Sequence, residues 1–169
     1  MIDDGRLPEG RHQVGWEDVE RVFVKNAPFA TERAVIFDAL RLHFQLMTSL
    51  FPDGGELWIN GGFTTHKTWA APKDADLAYL VPCEAINGLR QEQLVTVASL
   101  LTLQGVSAVQ PHWRFVDRVQ PMGGLIDAFF VPSDVPSAVE TWDNTWSMVT
   151  GPDRKIIPGK RKGYLEVTW

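Results

Sequence analysis

One cysteine, Cys83, in 169 residues leaves this chain without the means for an internal disulfide or a four-cysteine zinc site. No apolar run approaches the ~20 residues that a membrane-spanning helix needs, and no leader-like apolar segment stands near Met1. Positive charge is in short supply too: 16 Lys and Arg face 21 Asp and Glu, a formal net charge of −5. That balance excludes a protein that coats nucleic acid through a basic surface, but not one that holds a nucleotide through a metal ion. Repeats, low-complexity tracts and linkers are also missing. The expectation is a cytoplasmic protein with no membrane partner, folded as a single domain over 1–169, a length that buries a core without staples.

What is present is apolar periodicity. Residues 1–15, rich in Gly, Asp and Pro, read as an extended arm. Trp16, Val19, Val22 and Phe23 sit at helical spacing. A longer helix is predicted over 31–50, where Ile36, Leu40, His43, Met47 and Leu50 form one stripe, with Thr31 as its cap and Pro52-Asp53-Gly54-Gly55 as its stop. Strands are expected over 56–60 and 74–81. A helix follows over 89–103 with Gly105 as its stop, then short strands over 106–109 and 114–119, and an apolar strand over 125–131. A helix over 136–149 opened by Pro136, the basic loop Lys160-Arg161-Lys162-Gly163 and a strand over 164–169 close the chain. The order predicts an α/β or α+β domain: a mixed sheet flanked by helices.

Two motifs carry chemistry. Trp58-Ile59-Asn60-Gly61-Gly62-Phe63 puts a glycine turn after a strand, and Asp74-Ala75-Asp76 puts two carboxylates on alternate residues at the start of the next. Alternate strand residues share a face, so Asp74 and Asp76 project together beside a turn open enough to admit phosphate. A third acid, Asp127, lies inside the apolar run Leu125–Val131, where an ionised carboxylate needs a cation or donor to offset its desolvation. Each motif alone is common, since most Asp-X-Asp pairs are solvated and a Gly-Gly pair is an ordinary turn. The three in this order are far less common.

Gly61-Gly62-Phe63 followed by Asp74-Ala75-Asp76-Leu77 resembles the signature of the nucleotidyltransferase superfamily, the DNA polymerase beta-like fold. Leu7-Pro8-Glu9-Gly10, the run from Trp58 to Lys67, Asp74 to Leu77 and Lys162-Gly163-Tyr164-Leu165-Glu166 are similar to a family of small bacterial and phage nucleotidyltransferase-like proteins, over nearly the whole chain. The resemblance implies metal-dependent transfer of a nucleoside monophosphate from a nucleoside triphosphate to an acceptor: a small molecule, an RNA end or a protein hydroxyl. It assigns Asp74 and Asp76 to Mg2+ or Mn2+, with Asp127 as the third metal-binding and catalytic acid by strand context. Gly61 and Gly62 fall on the phosphate-binding turn. That turn is usually Gly-Ser in the superfamily; here Gly62 replaces the serine, leaving Thr64 or Thr65 to offer a hydroxyl. Larger members carry a second domain that this chain lacks. The alternatives are a non-catalytic protein of the same fold, acting as a regulatory or antitoxin-like partner, and a metal-dependent phosphohydrolase.

Other residues carry weaker signals. Lys67 and His66 lie between the motifs, within reach of a phosphate. His43, on the apolar stripe of the long helix, reads as a buried, hydrogen-bonded histidine. Trp113, beside His112, is a candidate stacking surface for a base, with core packing the commoner role. Lys160, Arg161 and Lys162 form a basic cluster of the kind that is usually a solvated turn. Cys83 reads as a structural thiol.

Overall fold

The computed structural model describes residues 5–109, 113–151 and 155–169, with side chains left aside over 107–117. His112 therefore lies outside the described residues, as does the side chain of Trp113.

Short apolar runs, buried on both faces over Glu56–Asn60, Ala75–Val81 and Ile126–Pro132, build a five-stranded sheet. Its members are β1 (Gly10–Gln13), β2 (Glu56–Asn60), β3 (Ala75–Val81), β6 (Ile126–Pro132) and β9 (Gly163–Thr168), in the order β1-β9-β2-β3-β6. β2 is antiparallel to both β9 and β3, whereas the outer pairs β1/β9 and β3/β6 are parallel, so the sheet is mixed. The expected N-terminal arm is thus in part an edge strand. Gly10–Gln13 pairs with Gly163–Glu166, a contact across the length of the chain that no local pattern announces.

Period-two alternation divides the sheet into two faces. Leu57, Ile59, Leu77, Tyr79, Ala128, Leu165 and Val167 pack into the main core with Val19 and Phe23, with Ile36, Leu40 and Met47 of α2 (Ala30–Leu50), and with Val97 and Leu100 of α4 (Gln91–Leu100). Trp58, Ala78, Leu80, Val131 and Tyr164 face the other way, onto Trp146, Val139 and Trp142 of α5 (Pro136–Trp146). No helix among the described residues is long and apolar enough to cross a membrane.

Several predicted boundaries move for identifiable reasons. The first helix, α1 (Trp16–Glu20), continues as a π-helical turn, Arg21–Lys25. Thr31 does not cap α2. The helix starts one residue earlier, behind Phe29 in the left-handed region at φ 63°, and Arg33 Nε donates to Pro28 O at 2.6 Å. α3 (Cys83–Asn87) is a separate short helix, and Gln93 Oε1 accepts from the Arg90 N–H at the start of α4. α4 ends at Leu100 rather than 103, because the Thr102 N–H donates to Ala128 O at 2.9 Å and draws the chain toward β6. Gly105, at φ +62°, lies inside β4 (Leu103–Val109), which pairs with β5 (Trp113–Val119) as a separate hairpin. The predicted helix over 136–149 ends at Trp146, and Met148 and Val149 join Thr150 in β7 (Met148–Thr150) against β8 (Ile156–Arg161). Lys160 and Arg161 consequently sit on a strand, not in a loop.

Candidate functional site

The strand register brings the acids together. Asn60 on β2 stands beside Asp76 on β3, and Asp76 stands beside Asp127 on β6. The three form a row on the sheet face that carries α5. Asp74 lies one residue before β3 and takes a hydrogen bond from Gln120 Nε2 at 2.9 Å. The first acid of the pair is therefore a loop residue at the strand's mouth. The two carboxylates remain neighbours. Burial, with Asp74's negative charge adding to it, pushes Asp76 above the usual carboxylate range, while Lys162 and Arg118 oppose the rise.

Asp127 is 3% exposed, and its charge is met from two directions. Thr102 Oγ1 donates to Oδ1 at 2.7 Å, and the Arg118 guanidinium forms an ion pair with Oδ2. Arg118 and Gln120 leave the β4–β5 hairpin two residues apart, so one short segment reaches Asp127 and Asp74 in turn. Among the described residues no three His, Cys, Asp or Glu side chains group closely enough to hold a metal ion. The residues that could hold a divalent ion are the two carboxylates Asp74 and Asp76, with a third acid alongside that already has a cationic partner. Two carboxylates suit Mg2+ or Mn2+, which keep several waters and accept substrate oxygens as further ligands.

The glycine turn is built around Asp76. Gly61 has φ +81°, a backbone shape that L side chains rarely adopt, and a Cβ there would overlap Asp76 Oδ2. Gly62 is less confined, with the nearest atom to a Cβ being Lys67 Nζ at 3.2 Å. The hydroxyls of Thr64 and Thr65 bond to Gly61 O at 3.2 Å and Gly62 O at 2.9 Å. Thr65 lines the cleft, whereas Thr64 is 1% exposed and is not among the lining residues.

A side chain that sequence reasoning passed over holds this loop. Arg33 is fully buried and donates to four backbone carbonyls, Pro28 O, Phe23 O, Phe63 O and Thr65 O, which joins α2 to the glycine turn. His66 Nε2 donates to Val22 O at 2.9 Å and secures the same loop from the far side. Arg33 stands three residues before Ile36 on the same buried helical face, but a charged side chain at a helix start reads as solvated, and nothing local shows the four carbonyls it meets.

The cleft has a volume of about 750 Å³, within the range of small-molecule sites. Gly61, Gly62, Thr65, Lys67 and Asp76 line one side; Trp146, β7 and Ile157 line the other. Trp69, 74% exposed, also lines it and offers a free ring face. Lys162, expected on a solvated turn, is largely withdrawn from solvent at the cleft wall. Its Nζ donates to Asn60 Oδ1 at 2.8 Å, and burial pulls its ammonium down to about 8 against the attraction of Asp76. Asp74 and Asp127 are not lining residues and stand behind Asp76 along the sheet edge.

The remaining candidates are structural. His43 is fully buried. Leu100 O can only accept, so Nε2 carries the proton, and the Tyr79 hydroxyl donates to Nδ1 at 2.9 Å. The Cys83 thiol is pushed up by its hydrogen bond with Asp134, the reverse of what an activated nucleophile needs.

Comparison with curated proteins finds no match, and comparison with solved structures finds none. The model of one family matches residues 1–168, nearly the whole chain, and the protein belongs to it: Family of unknown function (DUF6932).

Proposed function

We propose that the cleft binds a nucleoside triphosphate together with Mg2+ or Mn2+ at Asp74 and Asp76, and that the protein transfers the nucleoside monophosphate to an acceptor hydroxyl. The observation that carries the reading is the position of Asp76. Its carboxylate lies against Gly61 on the cleft wall, and Asp127 stands beside it in register. Asp74 and Asp76 would hold the divalent ion, which would supply neutralisation of phosphate charge.

The chain's own groups account for the rest. Positive φ at Gly61 and the small Gly62 let the backbone approach phosphate closely, and Lys67 Nζ already lies against that turn. Trp69 presents a ring face on which a base stacks. In the reaction the acceptor oxygen bonds to the α-phosphorus, the bond from that phosphorus to the bridging oxygen breaks, and pyrophosphate leaves. The acceptor's proton passes to solvent water, because Asp127 lies outside the cleft lining with its carboxylate already met by Arg118 and Thr102, where it supports the row beside Asp76.

Thermal unfolding tests the binding step. A nucleoside triphosphate with Mg2+ raises the Tm of the wild type and leaves Asp74→Asn/Asp76→Asn unchanged. No shift with any common nucleotide sinks the reading. Incubation of α-labelled nucleotide with cell extract then identifies the acceptor; release of orthophosphate without pyrophosphate marks a phosphohydrolase instead.

A further inference from the structure

The cations of the cleft come from three distant segments. Arg6 precedes β1, Lys67 follows the glycine turn and Lys162 joins β8 to β9, yet all three line one cavity. Asp76 is the acid among the described lining residues. In a chain of net charge −5, a cavity so lined runs against the charge of the whole molecule and selects anions.

Lys162 is held in place more firmly than an ordinary surface lysine. Its backbone N–H donates to Ser147 O at 2.9 Å, and the next N–H, of Gly163, donates to Leu7 O at 3.0 Å. Gly163 passes so close to Pro8 O and His12 Nε2 that a Cβ would collide with both, which fixes the backbone under the N-terminal segment. The side chain is fixed as well. Asn60 Nδ2 donates to Trp146 O at 3.0 Å, which turns Asn60 Oδ1 toward the ammonium. One of the three ammonium donors is taken by Asn60, a neutral acceptor that neutralises none of its charge. The negative charge that acts on it is that of Asp76, the residue assigned above to the divalent ion.

We infer that Lys162 is a built-in cation for a polyphosphate chain, holding the outer phosphates of the substrate together with Arg6 and Lys67 whether or not a divalent ion is bound. The inference rests on the nucleotide reading but makes a separate demand. A site that depended on metal alone would lose all polyphosphate affinity in a chelator. This one keeps it, because a positioned ammonium in a cleft attracts phosphate without an intermediary.

The test is calorimetric titration of inorganic tripolyphosphate into the full chain in EDTA at fixed ionic strength. The wild type binds, Lys162→Gln binds at least tenfold more weakly, and Lys160→Gln, altered at an exposed position on β8, matches the wild type. Lys162→Met, which keeps length without charge, repeats the measurement on a second background. Failure of the wild type to bind in EDTA overturns the inference, as does wild-type affinity in either Lys162 variant. Stabilisation by Mg2+ and nucleotide that persists alongside such a failure leaves the nucleotide reading standing and removes only the role of Lys162.

Discussion

The Asp76 carboxylate occupies the space that a Cβ on Gly61 would need, so the turn and the acid are one packed unit. Gly61→Ala must both adopt a left-handed backbone and push Asp76 aside, at a cost of roughly 1–2 kcal/mol for the backbone alone. The expected outcome is a lower Tm and loss of the stabilisation by Mg2+ and nucleotide. Gly62→Ser meets the far end of the flexible Lys67 side chain at 3.2 Å and Pro72 at ordinary contact distance, and is expected to stay within about 1 kcal/mol of the wild type by chemical denaturation.

Arg118 and Asp127 form a pair with unequal burial, the carboxylate 4% and the guanidinium 41% exposed. Removing Arg118 strands a charge among apolar neighbours, with Thr102 as its remaining donor. Arg118→Met is expected to lose about 2 kcal/mol at neutral pH, less than for a fully buried pair because solvent reaches the arginine. The double variant Arg118→Met/Asp127→Asn, with no charge left to strand, recovers most of that loss. A thermodynamic cycle in urea measures it, and a double variant less stable than Arg118→Met contradicts the account.

Arg33 bonds four carbonyls, two over residues 23–28 and two in the glycine turn, and no hydrophobic replacement satisfies them. Arg33→Met is expected to lose at least ~3 kcal/mol, since each buried acceptor left unpaired costs about 1–3 kcal/mol. Hydrogen exchange checks the location of the damage: opening concentrates in residues 61–66, and a uniform increase across the sheet argues against the role given to Arg33.

His43 sets an acid limit on stability. Burial lowers its pKa from 6.5, so the native state resists taking up a proton that the unfolded chain accepts. Stability is fully present above about pH 6.5 and falls as pH drops below that value toward the folded pKa, by at most ~1.4 kcal/mol per pH unit for one proton. His66, lowered for the same reason, adds in the same direction. Denaturation midpoints between pH 5 and 8 read this slope, and His43→Gln, though less stable throughout, shows a shallower one.

The parts of the fold that were legible share a property: their signal is local. Short apolar runs in Glu56–Asn60, Leu77–Val81 and Ile126–Val131, and the 3.6-residue stripe through Ile36, Leu40, His43 and Met47, mark strand or helix before any long-range contact forms. The same periodicity put Asp76 on one sheet face, and the glycine pair marked the turn beside it. What the local signal lacked was partnership. β1 exists because it pairs with β9, and α4 stops at Leu100 because Thr102 bonds to β6.

The site divides in the same way. The residues themselves determined that this chain carries a glycine turn, an Asp-X-Asp pair and a later acid within an apolar strand. Tertiary structure alone decided that Asp127 stands beside Asp76, that Arg118 supplies the charge Asp127 needs, and that Lys162 leaves its basic run to bond Asn60 in the cleft. The physical reason is range: backbone propensity and side-chain period act over a few residues, whereas a buried polar group takes whatever partner the folded chain brings within hydrogen-bond distance, 102 positions away in the case of Lys162 and Asn60.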